Sequence, residues 1–347
     1  TGCLMRKVSV IILNWNGETL LKQFLPSVVE HTSAELADVI VADNGSTDQS
    51  LSLLENDFPT VEIIRLEKNY GFADGYNQAI AAVKTPYVVL LNSDVEVTPG
   101  WLEPLLEELE ENPDVAAVQP KILSWNCKSS FEYAGACGGF LDSYGYPFCR
   151  GRLLHVVETD NGQYDDPIDV LWTSGACMLI RRDVYVCVGG LDATFFAHQE
   201  EIDLCWLMRC RGFRLRCIPR SVVYHVGGGT LEAESPRKTY LNFRNNMLML
   251  YKNLPECDLR RVMTIRKILD YIAAFKFLLT GHPANAKAVF DARQEFYRMQ
   301  YRYESVRKAN LEQRVLNHIP QIMRRSLLIR FYLCGIRCFS GLKFLAN

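Results

Sequence analysis

Six consecutive uncharged residues, Pro86–Leu91, run straight into Asn92–Ser93–Asp94. An apolar run of that length without polar alternation reads as a strand covered on both faces, the habit of parallel sheets with crossover helices above and below. Such a sheet opens its ligand crevice just beyond the carboxyl ends of its strands. A carboxylate placed there is positioned to hold a metal ion or a ribose hydroxyl. Taken alone, Asn-Ser-Asp reads equally well as a turn capping the next helix, so the rest of the chain has to decide.

Three more apolar runs precede it with the same punctuation. Val8–Leu13 ends in Asn14–Trp15–Asn16–Gly17, Val39–Ala42 in Asp43–Asn44–Gly45–Ser46, and Val61–Leu66 leads to Asn69–Gly75. Amphipathic stretches over 19–30, from about Ser46, and over 73–83 separate them, and a helix near 101–111 leads to a fifth strand at Val115–Gln119. This βαβα order predicts an α/β fold, a mostly parallel Rossmann-like sheet flanked by helices. Residues 124–168, rich in Gly, Tyr and Asp, read as an irregular insertion or small β-element. Strands are expected again at Val170–Ile180, Phe213–Ile218 and Val222–His225, with a helix near 201–211. From about residue 238 the pattern is helical.

The four polar clusters should converge on one cleft along the carboxyl edge of the sheet. A dinucleotide-binding dehydrogenase would use the same sheet, but no G-x-G-x-x-G follows the first strand and no G-x-x-x-x-G-K-[ST] occurs. A nucleotide in this cleft would therefore need a cation on its phosphates, with Asp94 the obvious ligand.

At 347 residues, 48 % hydrophobic and 22 % charged, the chain has the composition of an ordinary globular protein of one large domain or two. The net charge of −2 conceals an asymmetry: residues 260–347 hold 17 Lys and Arg against 5 Asp and Glu. A basic region on an acidic body suits an anionic partner. No nucleic-acid motif accompanies it, so nucleic-acid binding is not expected. The 12 cysteines include no C-x-x-C pair, and no secretory signal precedes the first strand; reduced thiols in a cytosolic protein are the expectation. Thr1–Leu4 stand ahead of Met5, so residues 1–5 read as a tag or upstream remnant. No uncharged run approaches the roughly 20 residues of a membrane span.

Seven segments together resemble the family 2 glycosyltransferases of the GT-A fold: VSVIILNWNG (8–17), VADNGSTDQS (41–50), NYGFADGYNQA (69–79), LLNSDVEV (90–97), WTSGACMLIRR (172–182), GGLDATFFAHQEEIDLCW (189–206) and YHVGG (224–228). The bacterial rhamnosyltransferase-like group that builds surface polysaccharides is the most similar variety. The resemblance covers roughly residues 6–255, the expected catalytic domain, with 256–347 as a C-terminal helical extension. It implies inverting transfer of a sugar from a nucleoside diphosphate donor, a dTDP- or UDP-sugar such as dTDP-rhamnose, to a hydroxyl of a lipid-linked or glycan acceptor. Asn92–Ser93–Asp94 matches the D-x-D-type motif, with Asp94 the retained metal carboxylate, Mg2+ or Mn2+ the implied cofactor, and His225 the second ligand. Asp43 matches the carboxylate that binds the donor base; Asn14, Gly71, Asn77, Asn92 and Ser93 fall in donor-binding segments. Trp172, Ser174 and Gly175 match the sugar and acceptor pocket. Glu201 aligns with the general base, and Glu200 is its alternative; alone, such a run would also suit a helix N-terminus. Relatives often carry Arg where this chain has Leu207, so Arg209 or Arg181–Arg182 is expected to face the phosphates.

In the basic extension, Ile265, Ile268, Leu269, Ile272, Phe275 and Leu279 recur at helical spacing beside Arg261, Arg266, Lys267 and Lys276, and residues 323–345 repeat the mixture. Basic amphipathic helices of this kind lie on anionic membranes, which predicts a peripheral protein on the cytoplasmic face of the cell membrane. Packing on the catalytic domain, or on a second subunit of a homodimer, satisfies the same pattern. Two other functions share the cleft: a nucleotidyltransferase, which would want a Gly-rich basic loop after the first strand, and a non-catalytic nucleotide-sugar-binding protein, which would not need Asp94, Glu201 and His225 together.

Overall fold

A computed structural model describes residues 6–227 and 235–344. The expectations for residues 1–5, for Gly228 and for residue 345 lie outside the described residues. The first half alternates as predicted: β1 (Val8–Asn14), α1 (Glu18–His31), β2 (Ala37–Asp43), α2 (Ser50–Asp57), β3 (Glu62–Arg65), α3 (Gly71–Ala82), β4 (Tyr87–Asn92), β5 (Val95–Val97), α4 (Glu103–Glu111) and β6 (Val115–Ser124). Short strands follow: β7 (Gly139–Asp142), β8 (Pro147–Cys149), β9 (Arg152–Leu153), β10 (Val156–Val157) and β11 (Ile168–Asp169). Then come β12 (Cys177–Arg181), α5 (Arg182–Cys187), α6 (Glu200–Cys210) and β13 (Arg214–His225). Among the described residues four α-helices and a short strand follow: α7 (Pro236–Asn253), α8 (Glu256–Leu279), α9 (Pro283–Met299), α10 (Glu304–Glu312) and β14 (Ile322–Met323).

The main sheet runs β11-β13-β6-β12-β4-β1-β2-β3, with β5 paired to β13. β4, β1, β2 and β3 are mutually parallel, as are β6 and β13. Antiparallel β12 separates the two parallel blocks, pairing with both β4 and β6. The uncharged strand β4 is buried on both faces as its composition demands. Val88 and Leu90 join the core beneath α3, α6 and α7, while Val89 and Leu91 join the core beneath α1 and α4. Because β12 opposes its neighbours, its amino end lies beside the carboxyl end of β4, where Asn92 N donates to Ala176 O at 3.0 Å.

Three expectations change. The strand foreseen over 170–180 is strand only from Cys177, because residues 170–176 form the loop that reaches this edge. The two strands foreseen at 213–218 and 222–225 are one, β13, irregular in register between Ile218 and Val222. Residues 323–344 are not a long amphipathic helix. β14 pairs with β7 of a second sheet, β10-β9-β8-β7-β14, and short turns then bury Leu327, Phe331 and Phe339 in the core shared with α6 and α7. Burial of Leu327, Phe331 and Phe339 outweighs helical continuity there.

Candidate active site

At the ends of β1 and β2, Asn14 Nδ2 donates to Asp43 Oδ1 and to Ser46 Oγ, both at 3.2 Å, while Asp43 Oδ2 accepts from Ser46 N at 3.1 Å. Asp43 is buried, and Asn14 Oδ1 is buried without a partner. Gly17 closes this corner: a Cβ there would stand 2.3 Å from Asn14 Oδ1 and 3.9 Å from Ser93 Oγ, so only glycine lets the two strand ends approach. Asn44 ties the corner to α3, donating to Gly71 O at 3.0 Å and accepting from Tyr70 N.

The end of β4 meets the end of β13. His225 Nε2 lies 3.1 Å from Asp94 Oδ1 and 3.3 Å from Asn92 Nδ2. Its other ring nitrogen lies 3.4 Å from Glu132 Oε1, long for a hydrogen bond and without other partner. All three ionisable side chains are buried. Burial opposes the imidazolium, but Asp94 and Glu132 outweigh it and raise the pKa of His225 to about 10. Burial likewise pushes Asp94 up, and its hydrogen bond and attraction to His225 bring it below the ordinary carboxylate range.

This donor set fits a divalent cation. A carboxylate oxygen and an imidazole nitrogen stand side by side, and a second carboxylate waits behind the ring to accept from Nδ1, the arrangement that orients metal-binding histidines. Among the described residues no three such ligands form a complete cage. Glu132 has no counterpart in the sequence reading; it sits in the irregular insertion, where periodicity carries no information.

The third group stands at the amino end of α6. Phe196, His198 and Gln199 all have positive φ, at 63°, 70° and 73°, strained for residues with side chains. Helix α7 holds them there: Asn245 Nδ2 donates to the carbonyls of Phe195, Ala197 and His198 at 2.8–3.0 Å, and Asn246 Nδ2 to Gln199 Oε1 at 3.1 Å. The only sequence signal for this clamp is Arg244–Asn245–Asn246 interrupting an apolar helical stretch. The loop delivers Glu200 and Glu201 into a dry environment, each with its Oε2 buried and unpartnered. Burial, then the charge of Glu201, pushes Glu200 far above the usual carboxylate range, and burial raises Glu201 to about 7. Asp203, next along the helix, is spent on structure, taking Lys252 Nζ at 2.5 Å and Asn253 Nδ2 at 2.7 Å. His198 Nε2 is also unpartnered, and burial, aided by Lys238, lowers its pKa to about 4.

Gly175 joins the two halves. A Cβ on it would lie 3.2 Å from the Phe72 ring and 3.8 Å from Glu201 Cβ, and the next residue pairs with Asn92. Glu201 therefore stands one loop away from the Asp94–His225 corner. Other expected residues lie elsewhere. Trp172 is a core residue, its ring against Gly139 and its Nε1 donating to Phe140 O at 3.0 Å. Ser174 is buried, its N–H donating to Gln119 and its Oγ accepting from Ala176 N. Asn77 spends its amide on Leu191 and Tyr185, bracing α3. Gly71 opens α3 at φ +79°, where a Cβ would strike Phe196. Arg209, Arg181 and Arg182 donate to Phe213 O, Val115 O and Ile80 O and do not face the cleft. The nearby cations come instead from the first turn of α7, where Arg237 stacks over the Phe196 ring at 5.2 Å.

The family model for glycosyl transferase family 2 matches residues 9–189. An O-antigen biosynthesis protein from Myxococcus xanthus is 24 % identical over 232 residues, 66 % of this chain and 18 % of that protein. An N-acetylglucosaminyl-diphospho-decaprenol L-rhamnosyltransferase from Mycobacterium tuberculosis is 25 % identical over 230 residues, 62 % of this chain and 75 % of the relative. This chain thus spans less than a fifth of one relative and three quarters of the other. Among solved structures, GalNAc-T7 with UDP, GalNAc and Mn2+ superposes with a TM-score of 0.55 at 16 % identity, over 71 % of this chain and 48 % of that one. The fold is that of the GT-A glycosyltransferases.

Proposed function

This chain belongs to glycosyl transferase family 2, and from that premise we propose that it moves a sugar, with inversion, from a dTDP- or UDP-sugar to a hydroxyl of a lipid-linked or glycan acceptor. The observation that carries the reading is the buried, unpartnered Oε2 of Glu200 and of Glu201, one loop from Asp94 and His225. Glu201 takes the acceptor proton as the hydroxyl oxygen attacks the anomeric carbon. The new glycosidic bond forms on the face opposite the breaking bond to the diphosphate, and the nucleoside diphosphate leaves. With a pKa near 7, Glu201 is basic enough to accept that proton and still ionises near neutral pH.

Asp94 and His225 would hold the cation, and Glu132 would fix the imidazole tautomer. Mg2+ or Mn2+ bound there supplies positive charge to the departing diphosphate. The Asp43–Asn14–Ser46 corner receives the donor base, and Gly175 and Phe72 form the acceptor side below Glu201. The M. tuberculosis relative, named for a diphospho-decaprenol-linked acceptor, supports a lipid-linked acceptor here and a peripheral position on the cytoplasmic face of a membrane during surface polysaccharide synthesis. No helix among the described residues is long and apolar enough to cross a membrane.

The test is Glu201→Gln assayed with a panel of nucleotide sugars, dTDP-rhamnose first. Transfer should fall by about 10²–10⁴-fold while Mn2+-dependent thermal stabilisation by the donor stays within a few-fold of the parent. Near-parental turnover in that variant rejects the assignment, and pyrophosphate as the product in the parent rejects the reaction class.

A further inference from the structure

Helix α8 has its polarity reversed. Its inward face carries Arg266, Asp270 and Ala274, all buried, and Asp270 is paired with both Arg266 and Arg293 of α9. Its outward face carries Ile268, Ile272, Phe275 and Leu279, exposed at 57, 59, 60 and 72 %. At 100° per residue these four lie directly opposite Asp270, so water meets a continuous apolar stripe that ends in Leu278–Leu279 at the turn into α9. Phe290 of α9 extends it by stacking on Tyr271 at 5.4 Å.

We propose that this stripe is the surface on which the protein docks to an anionic lipid bilayer. Charge selects the occupant. Between Asp258 and Asp291, which pair with Arg261 and Lys287, the sole acid is the buried Asp270, whereas Arg260, Lys267 and Lys276 are exposed around the stripe. An isologous dimer through this face would bring those cations together against their copies; anionic headgroups complement them. A cavity of about 470 Å³ lined by Arg324, Arg325, Arg330 and Lys343 adds further cations, none ion-paired among the described residues. Tyr144 links it to the helix: it borders an adjoining cavity with the same three arginines, and its carbonyl accepts from Arg266 Nη1 at 3.0 Å.

The hairpin tip also reaches toward the cleft. Asn285, just past the turn, donates to Thr239 Oγ1 of α7 at 2.9 Å, and two residues earlier Arg237 covers Phe196 of the strained loop before Glu200. A bilayer holding the stripe would lie on the side from which a lipid-linked hydroxyl enters. The inference deepens the lipid-linked acceptor reading, but its test needs neither donor nor turnover.

The full chain is mixed with vesicles of phosphatidylglycerol or of phosphatidylcholine and sedimented, alongside a Phe275→Glu/Leu279→Glu variant. The parent should bind phosphatidylglycerol vesicles and not phosphatidylcholine vesicles, and lose binding as salt rises. The double variant should bind at least about tenfold more weakly, with an unchanged thermal midpoint because both side chains are exposed. Equal binding by the variant, equal binding to both lipids, or a parent dimer that this variant dissociates in analytical ultracentrifugation would overturn the proposal. Transfer to a water-soluble acceptor should be unaffected by the variant, so loss of docking and loss of the catalytic reading are separable.

Discussion

Two regions of this molecule bury charge, and they bury it differently. Within the α8–α9 hairpin, Asp270 accepts from Arg266 Nε and Nη2 at 3.2 and 3.0 Å and from Arg293 Nη1 at 2.6 Å, and Arg266 finishes its valence on Tyr144 O. In the cleft, Glu200 and Glu201 each retain an unpartnered oxygen, Asn14 retains another, and His225 Nδ1 only approaches Glu132. Removing a carboxylate from water costs several kcal/mol, roughly recovered when its oxygens are fully hydrogen-bonded. The hairpin carboxylate is therefore fully paired and the cluster acts as a structural joint, with Arg293 Nε its one unpartnered atom. The cleft is incomplete, and the proposed function assigns its remaining valences to substrate and cation.

The comparison predicts opposite phenotypes. Glu201→Gln should reduce transfer by about 10²–10⁴-fold with little change in thermal stability, since no partner in the protein is lost. The parent's kcat/KM should rise about tenfold per pH unit below pH 7 and level off above it, as Glu201 gives up its proton; the glutamine variant should lack that limb. Asp270→Ala should do the reverse, lowering stability in urea by about 3–5 kcal/mol because two buried guanidinium groups lose their counter-ion, while turnover per folded molecule is retained. A stability loss in Glu201→Gln as large as that of Asp270→Ala would erase the distinction.

Smaller changes sharpen it. Glu132→Gln should weaken Mn2+ binding, measured by titration against its electron paramagnetic resonance signal, by about 10–100-fold, without moving donor-independent stability by a similar amount. Gly175→Ala should be the mildest. Its methyl would press on Phe72 from 3.2 Å, raising the acceptor KM about two- to fivefold by narrowing the pocket and leaving donor affinity untouched.

Much of the cleft was legible in the residues. Uncharged runs ending in polar clusters mark two-sided strands and the edge where they stop, and Asn14, Asp43, Asn92 and Asp94 all lie there. Asp94 and His225, 131 positions apart, meet because β6 carries β13 parallel to β4's direction and both strands end together. Their partnership followed from resemblance; the contact needed the sheet. Trp172 and Ser174 show the limit of motif matching, since a segment can border a pocket while alternate side chains point into the core. Arg209 and Arg181–Arg182 show another, because a basic residue in a matched segment spends its donors on whichever carbonyl lies nearest.

Local pattern by itself determined the alternation of strands and helices in the first half of the chain and the apolar face of α8. Those properties depend on residues a few positions apart, and the chain carries them wherever it goes. Tertiary structure alone decided that Glu132 stands behind His225, that α7 amides hold the strained loop before Glu200, and that the apolar face of α8 looks outward. Periodicity defines a face relative to its own helix axis. Which way that face turns is decided by what the other side packs against, here Arg293 and Tyr144, which draw Asp270 and Arg266 inward and leave Ile272, Phe275 and Leu279 outside.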